Sequence, residues 1–325
     1  VRVTVDQTFT LREPGAGTAT PPPAGYLVRA TPYGTRVDGP DGGRLLYARA
    51  DAPADPPGGS GAGGERVPPQ QVDVAIVDVV ESPATVGALR RAGVVGRTTA
   101  VIAVGGDHRV HSPAEFERRA RLLGALAPSD GQDVACPPAA WPPERVAGPH
   151  RVLVTGGARS GKSTEAERRL LGEPEVVYLA TGPDPEGDRA WAERVAAHRG
   201  RRPWWWKTEE TTDAAAVLRG ATGAVLFDCV GTWLAAAMDA CGLWRDRPPA
   251  GAGAELDARE DELVDAWRRC GAHLVAVTNE VGSGVVPATV SGGLFRDRLG
   301  RLNQRLAGES EQVLLATAGR VLDLP

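Results

Sequence analysis

The sequence predicts an α/β protein with a mostly parallel sheet covered by helices on both faces, preceded by a smaller α/β domain. Three observations carry this. From Arg151 onward, short apolar runs alternate with helical stretches, the order that gives parallel strands joined by crossovers. A glycine-rich segment, Gly156–Ser163, stands between the first such run and the first such helix. Upstream, Val72–Leu126 follows the same strand–helix order on a smaller scale.

Residues 1–135 read as the smaller domain. Val1–Val5 alternates, Tyr26–Thr31 and Leu45–Ala50 are strand-like, and Asp38–Gly43 between the latter two reads as a hairpin turn. Asp51–Gln71 is rich in Pro and Gly, with too few apolar residues to pack. Val72–Val80 reads as a strand, Pro83–Ala92 as a helix, Thr99–Val104 as a second buried strand, and Pro113–Leu126 as a helix with Ser112 at its N-cap. Ala135–Pro149 carries five prolines, so 136–150 reads as a linker.

The second domain, 151–325, has strand candidates Arg151–Thr155, Val176–Ala180, Ala224–Asp228, Leu274–Thr278 and Gln312–Ala316. Helices are expected near Ser163–Leu171, Ala190–His198, Thr212–Arg219, Ala254–Cys270 and Gly293–Leu306. No internal repeat is visible.

Composition narrows the classes. The chain has 325 residues, room for two domains with cores, and is 42% hydrophobic and 24% charged, the balance of a globular protein. A net charge of −4 argues against nucleic acid as a partner. No apolar run approaches the ~20 residues of a spanning helix, so no transmembrane segment is expected. The chain opens on Val1, with no charged and then apolar leader. The four cysteines form no C-x-x-C pair and suit a reducing cytoplasm. Of 37 basic residues only Lys162 and Lys207 are lysine, so the many arginines are read first as a compositional habit.

Gly156-Gly157-Ala158-Arg159-Ser160-Gly161-Lys162-Ser163 fits G-x-x-x-x-G-K-[ST] at every fixed position, after an apolar strand and at the start of a helix. Glycines let backbone N–H groups face phosphate oxygens, and the helix start adds its positive dipole end. Lys162 is placed to reach the β- and γ-phosphates, and Ser163 to offer its hydroxyl to Mg²⁺. The second domain is therefore expected to be of the P-loop NTPase type. Asp228, ending the apolar run Val225-Leu226-Phe227, is the expected partner carboxylate for Mg²⁺. A guanine-reading Asn-Lys-x-Asp is absent: Asn279 precedes Glu280 and Asn303 precedes Gln304. That excludes a switch GTPase and leaves a small-molecule kinase or nucleotidyl transferase.

The segment from Arg194 to Glu210 holds His198, Arg199, Arg201, Arg202 and three successive tryptophans. One reading is a helix ending at His198, its arginines offsetting the dipole, followed by a buried tryptophan strand. The other is a nucleophilic imidazole beside arginines that neutralise a transferring phosphate.

The loop Thr155–Ser163, His198-Arg199-x-x-Arg202-Pro203, Thr278-Asn279-Glu280-Val281-Gly282-x-Gly284-x-Val286-Pro287 and Phe295-Arg296-Asp297-x-x-Gly300-x-x-Asn303 together resemble one family. It is the bifunctional adenosylcobinamide kinase/adenosylcobinamide-phosphate guanylyltransferase family of cobalamin assembly, matched over 151 to about 322. The resemblance implies a corrinoid substrate, ATP and GTP as nucleotide substrates, Mg²⁺ and a homo-oligomer. It also implies that His198 accepts GMP from GTP with Arg199 and Arg202 beside the phosphates. Ala180, Thr181, Gly182 and Glu210 become further nucleotide contacts. Asn279 and Glu280 are either site residues at a strand end or a plain turn. Alternatives are a P-loop kinase without guanylyl transfer, or a non-catalytic nucleotide-binding module.

Residues 1–130 match no part of that family. Val101–Val104 followed by Gly105-Gly106-Asp107-His108 faintly resembles the C-terminal half of a metallo-β-lactamase-type fold. The His-x-His-x-Asp-His cluster of that fold is missing, and His108, His111 and His150 are too few for a two-metal site. No metal is expected there, and the role of the region stays open.

Overall fold

The computed structural model describes residues 2–4, 24–55, 69–136, 150–183 and 189–325. Most of the expected loop Asp51–Gln71 and linker 136–150 lies outside the described residues. The chain divides into two compact units, 1–145 with 171–174, and 146–170 with 175–325.

The first unit contains β1 (Arg2–Thr4), β2 (Leu27–Thr31), β3 (Gly34–Asp38), β4 (Arg44–Ala48), β5 (Val74–Asp78), α1 (Thr85–Arg91), β6 (Ala100–Val104), α2 (Pro113–Leu122) and β7 (Asp133–Ala135). Its main sheet runs β2-β3-β4-β5-β6, antiparallel from β2 to β4 and parallel from β4 to β6. β1 and β7 form a separate antiparallel pair. Strand β3 corrects the expected single hairpin, because Asp38–Gly43 joins β3 to β4 rather than β2 to β4. β3 has no apolar alternation to betray it; Arg36 pairs with Asp38 at 2.7 Å and Arg29 reaches Asp38 across the ladder at 2.8 Å. Leu46, Val77, Leu89, Val101 and Leu123 form the core. The Ser112 hydroxyl caps α2, accepting from Glu115 N at 3.2 Å.

The second unit contains β8 (His150–Gly156), α3 (Lys162–Leu170), β9 (Val176–Ala180), α4 (Arg189–Arg201), β10 (Lys207–Glu210), α5 (Ala214–Gly220), β11 (Ala224–Asp228), α6 (Val230–Ala240), α7 (Ala252–Arg269), β12 (His273–Val277), α8 (Val290–Gly308), β13 (Gln312–Thr317) and β14 (Arg320–Leu324). The sheet order is β10-β9-β11-β12-β8-β13-β14, parallel throughout except for the edge strand β14. Consecutive residues Val152, Leu153 and Val154 are all at most 1% exposed. Because neighbouring strand residues point to opposite faces, both faces of this sheet are covered.

Several boundaries differ from expectation. His150, counted with the linker, opens β8 and pairs with His273. Helix α4 continues past His198 to Arg201. The tryptophans form no strand: Trp206 N closes a turn on Pro203 O at 3.1 Å, Trp204 is 72% exposed, and the strand is Lys207–Glu210. Helix α6 was not expected. Its cap is unusual, Cys229 Sγ accepting from Thr232 N at 3.4 Å while the Thr232 hydroxyl accepts from Cys229 N at 3.2 Å. It is also largely buried (Val230, Trp233, Leu234, Met238), so no polar face marks its period. Edge strand β14 follows a two-residue turn in which Ala318 (φ 48°) and Gly319 (φ 75°) are both left-handed, the geometry that suits a tight hairpin.

Candidate functional site

Register builds the site. Glu210 pairs with Ala180, Ala180 with Asp228, Asp228 with Val277 and Val277 with Val154. Four parallel strands therefore end on one row, with β8 running two residues further to Gly156, and open α/β sheets bind ligands at that edge. The loop Gly156–Gly161 leaves β8 there and leads into α3.

The loop is held by its own backbone. Arg159 (φ 57°) and Gly161 (φ 99°) are left-handed, and Gly319 N donates to Ser160 O at 2.9 Å. At Gly156 an added Cβ would lie 2.4 Å from Ala316 O and 2.6 Å from Ser160 Oγ. Gly156→Ala should therefore displace the loop and weaken nucleotide binding at least about tenfold; fluorescence titration with a triphosphate analogue checks this, and unchanged affinity would count against the close approach. Lys162 is buried, its Nζ donating to Gly157 O at 2.9 Å.

A cavity of ≈ 440 Å³ opens at this edge, a size that suits a small-molecule ligand. Lys162, Ser163, Ala180, Gly182, His198, Arg199, Arg202, Glu210, Asp228 and Asn279 line it, so residues far apart in sequence converge on one cavity. Thr181 does not offer its side chain: its hydroxyl donates to Cys229 O at 2.8 Å and lies 2.9 Å from the Thr232 hydroxyl. Glu280 is also turned to local structure, its carboxylate accepting from Gly282 N at 2.7 Å and its backbone N donating to Gly156 O at 3.0 Å. Asn279 is held by Asn303, whose Nδ2 donates to Asn279 O at 3.1 Å while its Oδ1 accepts from Thr278 at 2.6 Å.

Around His198 the charges are tightly arranged. Its Nδ1 lies 3.4 Å from Asp228 Oδ2 and 3.6 Å from Glu167 Oε1. The Tyr178 hydroxyl donates to the same Asp228 oxygen. Arg202 stacks on Tyr178, its guanidinium carbon 3.1 Å from the ring centroid. Arg199 pairs with Glu210. Burial pushes Asp228 toward protonation, but hydrogen bonds from His198 and Tyr178 and the nearby positive charge outweigh it, leaving the carboxyl below its ordinary range. Burial, and then the Asp228 charge, drive the Tyr178 hydroxyl far above its ordinary range, so it stays a donor. Burial also lowers Arg202, with the negative groups around it opposing.

Glu167, Tyr178 and Trp191 were not expected from the sequence. Glu167 is buried on α3 among alternating acidic and basic residues that read as a solvated face. Tyr178 reads as ordinary strand core. Trp191 lines the cavity with its indole N–H donating to Pro183 O at 2.9 Å, and nothing in its spacing announces it.

Residues 152–324 match the model of the family described as cobinamide kinase / cobinamide phosphate guanyltransferase. The chain is 38% identical over 175 residues to the bifunctional adenosylcobalamin biosynthesis protein CobU of Salmonella typhimurium, covering 52% of this chain and 96% of that protein. It is 37% identical over 180 residues to the bifunctional adenosylcobalamin biosynthesis protein CobP of Pseudomonas aeruginosa, covering 54% and 96%. Both matches span nearly the whole relative and just over half of this chain.

Proposed function

The chain belongs to the cobinamide kinase / cobinamide phosphate guanyltransferase family, and from that premise we infer how its own residues divide the two reactions. It is an enzyme of cobalamin assembly that phosphorylates cobinamide and then transfers GMP to the phosphate. The observation that carries the division of labour is that His198 and the loop residues Lys162 and Ser163 face one cavity. A single triphosphate seat can then serve both steps. In the kinase step the substrate hydroxyl is aligned on the γ-phosphate held by Lys162, and no covalent enzyme intermediate is needed. We read ATP or GTP as the phosphoryl donor for this step. In guanylyl transfer the His198 imidazole attacks the α-phosphate of GTP and later releases GMP to the corrinoid phosphate. Arg202, held on Tyr178, and Arg199, held by Glu210, bring positive charge to the cavity wall beside the phosphates.

The donor set also fits Mg²⁺. A hydroxyl from Ser163 and a carboxylate from Asp228 face the same cavity, and Mg²⁺ prefers such oxygens while keeping several waters. Bound there, it would neutralise charge between the phosphates. No described helix is long and apolar enough to cross a membrane. Cys229, Cys241 and Cys270 carry free thiols.

Incubation with [α-³²P]GTP, Mg²⁺ and cobinamide phosphate tests the reading. Label should appear on the protein and then move to the corrinoid, while the same mixture with EDTA should give neither. Corrinoid labelling with no trapped protein label, even in single-turnover quench, would overturn the covalent route.

A further inference from the structure

We propose that Glu167, clamped by Arg201, is a positioning residue for His198: with Asp228 it takes the Nδ1 side of the ring and leaves Nε2 as the atom that receives GMP. This rests on His198 being the nucleophile and adds which nitrogen reacts and what holds it.

The geometry is specific. Two carboxylate oxygens, Asp228 Oδ2 and Glu167 Oε1, stand 3.4 and 3.6 Å from Nδ1. Glu167 is 6% exposed and is gripped through both oxygens, Arg201 Nη2 donating to Oε1 and Nε to Oε2, each at 3.0 Å. Arg201 lies three residues after His198 on the same helix. One arginine fork therefore fixes the helix that carries the histidine against the helix that follows the phosphate loop, and the same carboxylate meets the ring. A simple staple between two helices would need only the fork. The second contact, from Oε1 to Nδ1, is what a staple leaves unexplained.

The chemistry uses this contact for charge in the first half-reaction and for orientation in both. The Nε2 lone pair attacks the α-phosphorus, the Nε2–P bond forms, and the bond to the bridging oxygen breaks with its electron pair leaving on pyrophosphate. The ring becomes cationic while its proton stays on Nδ1 between the two carboxylates. In the second half an oxygen of the corrinoid phosphate attacks the same phosphorus, the Nε2–P bond breaks, and its electron pair returns to Nε2. The Nδ1 proton never leaves. In the first half, fixed negative charge beside a ring that gains positive charge favours the transition state over its ground state. In the second half the ring gives that charge up, and the carboxylates act there by holding the ring in place, as a buried carboxylate orients a histidine in other nucleophilic sites.

The full chain with GTP and Mg²⁺ provides the test. With ¹⁵N-histidine label, the trapped adduct should show ³¹P coupling to Nε2; coupling to Nδ1 overturns the inference, and needs no variant. Glu167→Gln keeps an oxygen for Arg201 but removes the charge. Its single-turnover guanylylation should slow about 10–100-fold, with KM for GTP changed less than about threefold and kinase turnover within about twofold. Guanylylation at the wild-type rate, or equal losses in both activities, would show that Glu167 is only structural. GMP found on a residue other than His198 would instead overturn the underlying reading, and this inference with it.

Discussion

His198→Ala is expected to abolish the GMP–protein adduct and lower guanylyltransferase turnover by about a thousandfold or more, while kinase turnover stays within about tenfold of wild type. The two reactions ask different things of the same cavity. Guanylyl transfer in two steps needs a group that can bond to phosphorus and leave again, and imidazole does both near neutral pH. Phosphoryl transfer to a hydroxyl needs alignment and charge neutralisation, which come from Lys162, Ser163 and the loop backbone. The residual kinase effect should not be zero, because the imidazole is one of the partners that hold the Asp228 carboxylate ionised. His273→Ala is the control. It opens β12 beside His150, with ring centroids 5.7 Å apart, and does not line the cavity. Its loss should cost stability at most. An adduct that persists in His198→Ala would place the nucleophile elsewhere.

Much of this site was legible because its chemistry needs rare residue patterns. The phosphate loop declares itself through glycines at fixed spacing before a lysine, and Asp228 through its position at the end of a wholly apolar strand. The convergence of Ala180, Asp228 and Val277 follows from reading their strands as parallel, since each ends at the same edge. Glu210 was expected only through the family resemblance, its strand Lys207–Glu210 being none of the strand candidates. What stayed hidden depends on packing. Glu167 is indistinguishable in sequence from a surface glutamate, because its burial and its contacts with Arg201 and His198 arise only in the packed fold. Tyr178 has the spacing of any core aromatic, and its role comes from Asp228 on the neighbouring strand. Thr181, a nucleotide contact implied by the family resemblance, has its hydroxyl taken by the start of α6. Helix α6 itself stayed hidden because its cysteine cap gives no familiar start signal. In the first unit β3 stayed hidden for a related reason, because its five half-buried residues carry charge pairs in place of an apolar alternation.

Lys162→Ala is expected to lower kinase turnover about a thousandfold, roughly 4 kcal/mol of transition-state stabilisation. The ammonium is the one lysine in the cavity, buried and held at the loop by Gly157 O. Alanine leaves the charge on the β- and γ-oxygens uncompensated during transfer. The effect on the other reaction is the more informative one. When His198 attacks the α-phosphorus, the β- and γ-phosphates depart as pyrophosphate, so the same ammonium then steadies the leaving group. If one seat holds the triphosphate in both steps, Lys162→Ala should also slow formation of the GMP adduct, by about a hundredfold, and weaken GTP binding. Measuring adduct formation in single turnover alongside steady-state kinase rates separates the cases. A variant that loses kinase activity but guanylylates normally would require a second triphosphate seat, because a shared one cannot lose its β,γ-phosphate cation without slowing the departure of pyrophosphate.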